Sequence, residues 1–488
     1  MSFAELRFLA FFPTVVAVFL LLPVRIRWVF LLVASYAFYM AWRPEYGLLL
    51  LAITLIDFYA GLLLGKEERP EMRKLYLVIS LGANLFLLFF FKYFNFLFSS
   101  LEDLFRFAQH PVDFPSLSIL LPIGISFHIF QSMSYTIDVY KKKYVPVNHL
   151  GKFALYVSFF PQLAAGPIER PSGLLSQIIE GRSFSIEKAR SGVRLMLWGF
   201  FKKLVIADNL APFVNAVYAN PGGYPGPTYI LATIAFAYEI YCDFSGYTDI
   251  ARGSARVFGY DLTINFNRPF KATSLADFWR RWHISLSSWL RDYLYLPLAF
   301  SGKRRTRIKI YVSLFITFVL IGLWHGANWT YVLFGAIHGF YLVTESLLTG
   351  PVKKYMGTKE IPLFAKQISV FLLVCFSYIF FRAQTVAEAF FISKNLFSGW
   401  GTFLNALATE TGRLHVLAMD TGWRGLVIAL SGVAVLELVE WLHERKAISL
   451  RLNAQPLPVK ALVYASFVCA ILLFGAMGAT QQFIYFQF

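Results

Sequence analysis

The sequence predicts an all-α polytopic membrane protein, and two observations support this fold class. Of 488 residues, 57% are hydrophobic and only 15% are charged, whereas about a quarter of the residues are charged in an ordinary soluble domain. Apolar runs long enough to cross ~30 Å of hydrocarbon recur along the whole chain. Because no stretch is polar enough to form a separate soluble domain, we expect residues 1–488 to form one integral-membrane domain.

Hydropathy predicts about a dozen membrane spans. The first apolar run has arginines on both sides and is not followed by a small-residue cleavage site, so we interpret it as a retained helix. The candidate spans lie near residues 8–24, 27–42, 46–65, 75–98, 117–140, 152–165, 191–217, 228–257, 308–323, 328–348, 365–382, 425–442 and 458–478. No fixed-period repeat is visible among them, which argues against the internal-repeat architecture common in transporters.

The formal net charge is +17, and basic residues cluster in loops at 66–74, 141–143, 303–309 and 443–446. In a multi-pass protein this pattern favours cytoplasmic retention of the loops over nucleic-acid binding. We therefore expect membrane lipid, and not nucleic acid, as a partner. The three cysteines are widely spaced in apolar sequence, so we interpret them as packing residues.

Two segments depart from simple spans. Residues 152–170 contain several prolines and end in charge, which predicts a short or re-entrant element. Residues 261–309 are the least membrane-like, and Ser274 with Asp277 resembles a capping box at the start of a helix. One apolar stripe at helical spacing predicts an amphipathic helix on the membrane surface or along a cavity. It consists of Phe278, Trp282, Leu286 and Trp289.

The stretch GLWHGANWTYVLFGAIHG at 322–339 places two histidines in apolar sequence. On one helix His325 and His338 would lie about 140° apart, and no cysteine or acidic residue stands at ligand spacing, so we predict no metal site. Small residues around His325 permit close approach of a backbone or a substrate. Its imidazole is either a structural group bonded to another helix or a general base for a hydroxyl proton.

Other polar residues lie in similar surroundings. His283 stands among tryptophans and arginines, including Arg291; this suits either a phosphate-bearing or thioester donor or interfacial anchoring of a helix. We expect Asp249 to form a structural ion pair with a nearby arginine. The remaining candidates are Ser126, His128, Gln131 and Asn267.

Several long motifs in one order resemble the membrane-bound O-acyltransferase family, and within it the bacterial branch that contains the alginate O-acetylase. They are LLPIGISFHIFQSMSYTIDVY, FFPQLAAGPIERP, YCDFSGYTDIARGSARVFGY, NFNRPF, SLADFWRRWHISLSSWLRDYLYLPL, GLWHGANWTYVLFGAIHG and the terminal FIYFQF. The resemblance is strong over a motif core at 120–345 and weaker over 346–478, which we interpret as peripheral helices. The terminal aromatic motif occupies 483–488.

This resemblance implies tilted helices around a central tunnel through which an acyl group passes from a cytoplasmic thioester to an extracytoplasmic acceptor. It implies acetyl-coenzyme A or another acetyl thioester as donor and no permanently bound cofactor. The family's invariant histidine falls on His325, and its second histidine, on the cytoplasmic side of the tunnel, falls on His283. The tunnel or substrate-lining candidates are Ser126, His128, Gln131, Asn267, Trp282, Arg291, Trp324, Asn328 and His338.

For the chemistry, we expect His325 to accept the proton of the attacking hydroxyl while Asn328 or His283 stabilises the oxyanion. The family pattern has an aromatic residue at the position of His128, which is either a buried, satisfied histidine or a group that alters acceptor handling. In relatives that acylate wall polymers a terminal tyrosine motif of this kind resembles an acyl relay, which implies that Tyr485 is the hydroxyl that His325 activates; the alternative is an aromatic belt at the membrane interface.

The function expected is O-acetylation of an exported or envelope polysaccharide of the alginate type, from the bacterial inner membrane, with a periplasmic acetyltransferase as partner. Peptidoglycan O-acetylation and D-alanine transfer are alternatives within the same fold. A transporter or flippase without acyl chemistry is the alternative from another class.

Overall fold

The computed structural model describes residues 3, 5–118, 120–302, 306–356, 361–417, 423–444, 455–476 and 483–484. These parts are helical and contain no β-strand. Seven helices in them are long and apolar enough to cross a membrane: 46–66, 70–107, 307–325, 329–351, 363–382, 423–443 and 457–474. The protein is thus a multi-pass membrane protein, although about a dozen spans, as expected from hydropathy, is not confirmed.

In chain order the α-helices are α1 Leu6–Leu21, α2 Arg27–Met40, α3 Tyr46–Lys66, α4 Pro70–Leu88, α5 Phe94–Phe107, α6 Ile125–Tyr140, α7 Leu150–Ser158, α8 Phe160–Leu163, α9 Ser176–Glu180, α10 Ile186–Phe200, α11 Asp208–Ala219, α12 Gly226–Val257, α13 Leu275–Arg281, α14 Ile284–Leu290, α15 Leu296–Phe300, α16 Arg307–His325, α17 Trp329–Met356, α18 Leu363–Arg382, α19 Val386–Asn395, α20 Trp400–Leu407, α21 Glu410–Val416, α22 Trp423–Glu444 and α23 Leu457–Phe474. Single π-helical turns join α4 to α5, α10 to α11 and α14 to α15.

The core of the protein is α12, a 32-residue helix that is buried on most of its surface. Glycines let α10 lie directly against it, since a Cβ on Gly192 would come within 2.5 Å of the Gly253 carbonyl oxygen, and one on Gly199 within 2.6 Å of that of Gly246. This is the close small-residue packing common between membrane helices. Because α12 faces other helices instead of lipid, it tolerates the polar residues that lower its hydropathy.

The segment at 152–170 folds as expected into short buried helices, α7 and α8. The predicted amphipathic helix differs from expectation, because the chain breaks between α13 and α14 at Trp282 and His283. All four residues of its apolar stripe are buried inside the protein. The segment therefore does not lie on the membrane surface but runs inside the helical bundle.

Helices α16 and α17 form a tight hairpin. A Cβ on Gly322 would meet the carbonyl oxygen of Tyr331 at 2.0 Å, and one on Gly335 would meet that of Phe318 at 2.2 Å. The small residues near His325 therefore permit backbone contact, as predicted. His325 ends α16 while His338 lies on α17, so the two histidines stand on different helices, in agreement with the separate spans predicted at 308–323 and 328–348.

Candidate active site

His283 stands at the break between α13 and α14, with a left-handed backbone (φ 43°) that is uncommon for a residue other than glycine. Ser274 caps the start of α13, since its hydroxyl accepts the Asp277 backbone N–H at 3.0 Å. After the break, the Ile284 N–H donates to the backbone carbonyl oxygen of Asn265 (2.9 Å). The break directs the imidazole into the protein interior, where it is completely buried.

The hydrogen bonds of Asn265 define the protonation of His283. Its side-chain oxygen accepts the backbone N–H of Ser285 at 3.1 Å and the Ser285 hydroxyl at 2.9 Å, so this atom is an acceptor. His283 Nδ1 lies 3.2 Å from the same oxygen and must therefore carry the hydrogen. The Nε2 atom then holds the lone pair. Burial lowers the pKa of His283 to about 3, which keeps the ring neutral.

His325 is the last residue of α16 and is 3% exposed. The carbonyl groups that end this helix are bound by the turn between α4 and α5. Lys92 Nζ donates to the carbonyls of Trp324 (2.7 Å) and His325 (3.1 Å), and the Tyr93 hydroxyl donates to that of Leu323 (3.0 Å). A cation at a helix C-terminus is electrostatically favourable. These bonds hold the His325 backbone in place.

The two histidines meet in one buried aromatic chamber, with ring centroids 6.4 Å apart. Trp324 contacts both, at 5.6 Å from His283 and 5.3 Å from His325. Its indole Nε1–H is buried and has no acceptor in the described part of the chain. The other rings around the chamber are Phe127, Phe244, Phe334 and Phe381. A neutral base and a hydrogen-bond donor are thus placed together in an apolar enclosure.

His338 lies behind this chamber, where both of its ring nitrogens are bonded. Its Nδ1 accepts the indole N–H of Trp279 at 3.2 Å, which leaves Nε2 to donate to the Ser377 hydroxyl at 2.8 Å. That hydroxyl in turn donates to the Val374 carbonyl. The arrangement is that of a supporting residue linking α13, α17 and α18.

Helix α6 forms another side of the chamber, and its polar candidates point elsewhere. His128 Nε2 contacts the Leu163 carbonyl oxygen, and Gln131 donates its amide to the Tyr156 carbonyl at 2.6 Å. Both are buried and bonded, and Ser126 is buried nearby on the same helix. Of the two interpretations of His128, its geometry supports a buried histidine whose hydrogen bond is satisfied within the protein.

Four further candidates are distributed differently. Trp282 is buried and stacks on Phe278 at 5.5 Å, one residue from His283. Asn328 lines a surface cleft of about 470 Å³, and its side chain binds the Gln384 carbonyl and the Thr330 N–H. Asn267 is exposed on the outer side of the segment, and Arg291 is 62% exposed and pairs with its neighbour Asp292. None of these last three reaches the chamber.

Comparison with known proteins agrees with this architecture. The model of the membrane-bound O-acyltransferase family matches residues 147–381. The probable alginate O-acetylase AlgI of Pseudomonas aeruginosa is 36% identical over 439 residues, covering 89% of this chain and 81% of the relative. That of Pseudomonas putida is 35% identical over 497 residues, covering 98% of each. The peptidoglycan O-acetyltransferase of Helicobacter pylori is 31% identical and covers 78% of this chain and 75% of the relative. The chain belongs to the membrane-bound O-acyltransferase family.

As a member of this family the protein is an O-acyltransferase. Buried ion pairs lie beside the chamber. Lys202 binds Asp249 at 2.7 Å, and Arg252 binds it at 3.1 Å, so the expected structural pair is confirmed, with a lysine in addition to the arginine. Lys203 binds both Asp208 (2.8 Å) and Asp243 (2.6 Å). Charges this deep in a membrane protein are tolerated when they are paired.

The end of the chain reaches the same place. The backbone N–H of Ile484 donates to Asp243 at 2.8 Å, and Phe483 stacks on Tyr247 at 4.6 Å. Both tail residues are buried. Phe483 also contacts Phe244, whose ring lies 4.7 Å from His283. Tyr485 itself lies outside the described residues.

Two residues beside the candidate site, Asn265 and Lys92, were not predicted from the sequence, and Trp324 was predicted only as a tunnel or substrate-lining residue. Asn267 was predicted as a site residue and Asn265 was not. The two stand two positions apart in the extended segment NFN, and nothing in the sequence distinguishes them. Lys92 is the single charge within FLLFFFKYFNFLF, and a lone charge in an apolar span indicates a functional or structural role. The hydrogen-bond donor of Trp324 is visible only in the fold.

Proposed function

We propose that this acyltransferase takes an acetyl group from a thioester on the cytoplasmic side and delivers it for O-acetylation of an exported or envelope polysaccharide. The observation that carries the proposal is the pair of buried histidines, His283 and His325, that share one aromatic chamber with 6.4 Å between ring centroids. The names of the AlgI relatives favour an alginate-type polymer as acceptor and acetyl as the acyl group. Acetyl-coenzyme A is the donor that fits this chemistry, and the bacterial inner membrane is the location.

In this mechanism His325 is the general base. A hydroxyl attacks the thioester carbonyl carbon and gives its proton to the imidazole, so that a C–O bond forms while negative charge develops on the carbonyl oxygen. The C–S bond then breaks, and the proton passes from His325 to the departing thiolate. A neutral imidazole is required for the first step, and the apolar surroundings of the chamber favour that form.

We assign the oxyanion to Trp324 instead of Asn328 or His283. Asn328 already uses its amide on the Gln384 carbonyl, and the His283 tautomer with hydrogen on Nδ1 offers a lone pair at Nε2. The Trp324 ring contacts both histidines, and its indole N–H is buried and has no acceptor in the described segments. A donor that bonds only when charge develops lowers the barrier selectively.

The attacking hydroxyl in this scheme belongs to Tyr485. The hydrogen bond from Ile484 to Asp243 and the stacking of Phe483 support a tail that enters the protein next to His283. These contacts argue against an aromatic belt in the lipid interface. An acetyl-tyrosine formed there is an ester that a periplasmic acetyltransferase partner collects for the polymer.

In this proposal α16 runs from the cytoplasmic side of the bilayer toward the other side. Arg307 and Lys309 lie at its start and His325 at its end, about 27 Å from Arg307 at 1.5 Å per residue. Since basic residues mark the cytoplasmic side, the cleft beside Asn328 opens on the extracytoplasmic side. This is where the partner is expected to dock.

Purified protein in proteoliposomes tests the proposal. With radiolabelled acetyl-coenzyme A outside and the periplasmic partner or acceptor inside, thiol release and acetylation of the enclosed acceptor are expected together. Intact thioester appearing inside the vesicle would identify a transporter. Acetylation of peptidoglycan fragments in preference to alginate-type polymer would select the alternative acceptor suggested by the Helicobacter pylori relative.

A further inference from the structure

The last described residues of the chain contact α12 in two different ways. The Ile484 backbone N–H donates to Asp243 Oδ2 at 2.8 Å, and the Phe483 ring stacks on Tyr247 with 4.6 Å between ring centroids. Asp243 and Tyr247 are four residues apart on α12, so they lie on the same face of that helix. One contact binds the peptide backbone and the other binds an aromatic side chain. Sites that recognise extended peptides combine these two kinds of contact.

Lys203 holds the carboxylate of Asp243 in the orientation that the backbone bond requires. Its ammonium group lies 2.6 Å from Asp243 Oδ1 and 2.8 Å from Asp208 Oδ1. One oxygen of Asp243 is therefore fixed by the lysine, while the other accepts the Ile484 N–H. The three charged side chains are at most 7% exposed. Because two carboxylates share this lysine, removal of Asp243 leaves Lys203 paired with Asp208 and strands no buried cation.

The N-terminal segment supports the aromatic part of the same site. Phe3 stacks on Tyr247 at 4.6 Å with an interplanar angle of 26°, and Phe483 stacks on it at the same distance with an angle of 27°. Two rings cannot share one face of a third ring at this distance, so Tyr247 lies between them. Both phenylalanines are at most 2% exposed. Residues from the two ends of the chain thus form one aromatic stack.

The chain that leads to the tail is attached to the same region at a second point. After α23, the Ala476 N–H donates to the Leu204 carbonyl at 3.1 Å, and Asn209 donates its amide to the Phe474 carbonyl at 2.9 Å. Leu204 follows Lys203 directly in the turn between α10 and α11. Residues 476 and 484 are therefore both held close to this turn.

We propose that Asp243 and Tyr247 form a peptide-binding site for the C-terminal segment and hold it in register for acyl transfer. Lys203 and Phe3 are positioning residues, because they act through these two side chains. The ligand is an extended peptide in which an aromatic side chain is followed by a backbone N–H, and the chain supplies this peptide itself. The inference rests on the proposed role of Tyr485 as acyl relay and assigns the groups that position this tyrosine.

The binding site is connected to the histidine chamber through Phe244, the residue after Asp243. Its ring contacts Phe483 at 5.8 Å and His283 at 4.7 Å. Tyr485 follows the anchored residues directly, so its distance from the chamber depends on the bond to Asp243. Loss of this bond should therefore reduce acetyl transfer to the tail without altering the histidines.

Hydrogen exchange of the C-terminal peptide in the purified full-length protein measures attachment of the tail independently of activity. Mass spectrometry of the same samples after incubation with acetyl-coenzyme A measures the acetyl group on Tyr485. In Asp243→Ala we expect the Ile484 amide to exchange roughly 10–100-fold faster, since a hydrogen bond to a charged group is lost. The rate at which Tyr485 gains acetyl should fall by a similar factor.

Asp208→Ala is the matched control, because Asp208 binds the same lysine from an equally buried position but does not bond to Ile484. It should lower Tm while tail exchange and tail acetylation stay at the parent values. Phe3→Ala should also speed exchange of the tail. Phe19→Ala should not, since it removes a buried ring of α1 that packs on Phe258.

The outcomes separate this inference from the function on which it rests. Equal tail exchange in Asp243→Ala and Asp208→Ala would overturn the peptide-binding site, and so would exchange in Asp243→Ala that matches the parent. If Asp243→Ala fails to fold, Phe3→Ala decides, and tail exchange equal to that of Phe19→Ala overturns the site. A protected tail in a parent that never gains acetyl on Tyr485 would instead overturn the proposed relay and leave the binding site standing.

Discussion

Replacing Trp324 by phenylalanine removes the proposed oxyanion donor while an aromatic ring stays in the chamber. In the resting protein the indole N–H makes no hydrogen bond to a described residue, so the substitution breaks none. The smaller ring costs packing worth about 1–2 kcal/mol, well below the loss on complete truncation of a core aromatic residue. In the transition state, however, loss of one oxyanion donor costs roughly 10²–10³-fold in kcat, or ~2.7–4 kcal/mol.

Trp279→Phe is the matched control. Trp279 is also buried, but its indole N–H donates to His338 Nδ1 at 3.2 Å, away from the reacting groups. The substitution leaves a buried ring nitrogen without its donor and should cost about 1–3 kcal/mol of stability. The two variants therefore differ in turnover: Trp324→Phe loses it, whereas Trp279→Phe keeps it although both lose some thermal stability.

The assay is release of coenzyme A thiol by purified protein, with kcat and KM determined separately and Tm recorded for the same samples. For Trp324→Phe we expect a fall in kcat with little change in KM, because the donor acts only as charge develops. The reasoning is refuted if Trp324→Phe retains kcat, or if both tryptophan variants lose turnover equally. In either case the oxyanion is stabilised by another group.

The other predictions concern the base, the tail, the helix cap and one buried acid. His325→Ala should lower acetylation by about 10²–10⁴-fold with the protein still inserted; normal polymer acetate in cells would exclude it as the base. Tyr485→Phe should be inactive, and mass spectrometry should find acetyl on Tyr485 of the parent but not of His325→Ala; an active phenylalanine variant would end the relay. Lys92→Met should cost about 1.5–3 kcal/mol and lower Tm, since the charged hydrogen bonds to the end of α16 are lost; an unchanged Tm would show that the cap is dispensable. Burial raises the pKa of Glu169 from 4.5 to about 7, so its stabilising protonated form is complete at low pH and is lost as pH rises through 7. Glu169→Gln should therefore unfold at a higher temperature than the parent near pH ~8, with the difference vanishing toward pH ~5; a pH-independent difference would contradict this.

Hydropathy predicted the helices that face lipid and also two interior ones, since the candidate spans at 117–140 and 228–257 overlap α6 and α12. Both helices are buried by other helices, so they tolerate polar residues, and neither is among the seven described helices that are long and apolar enough to cross a membrane. For the same reason, the number of membrane spans cannot be counted from apolar runs alone. The short helices α7 and α8, by contrast, agree with the prolines at 161, 167 and 171, which disfavour one long continuous helix there.

By itself the sequence determined the class and the order of the motifs, and it indicated His283 and His325 as candidates for acyl transfer. The small residues around His325 also indicated a close approach of a backbone or a substrate, and the structure shows that Gly322 on α16 meets the backbone of α17. These properties depend on composition and on residues near one another in the chain.

Only the tertiary structure decided how those residues combine. Helical spacing placed Trp282 and Trp289 on one stripe, but the left-handed backbone at His283 breaks the helix and directs that ring toward His325. Asn265, and not Asn267, bonds to His283, and Lys92 bonds to the end of α16. Each of these contacts joins separate segments of the chain. Periodicity defines the face of one helix, whereas contacts between distant segments depend on the packing of all of them.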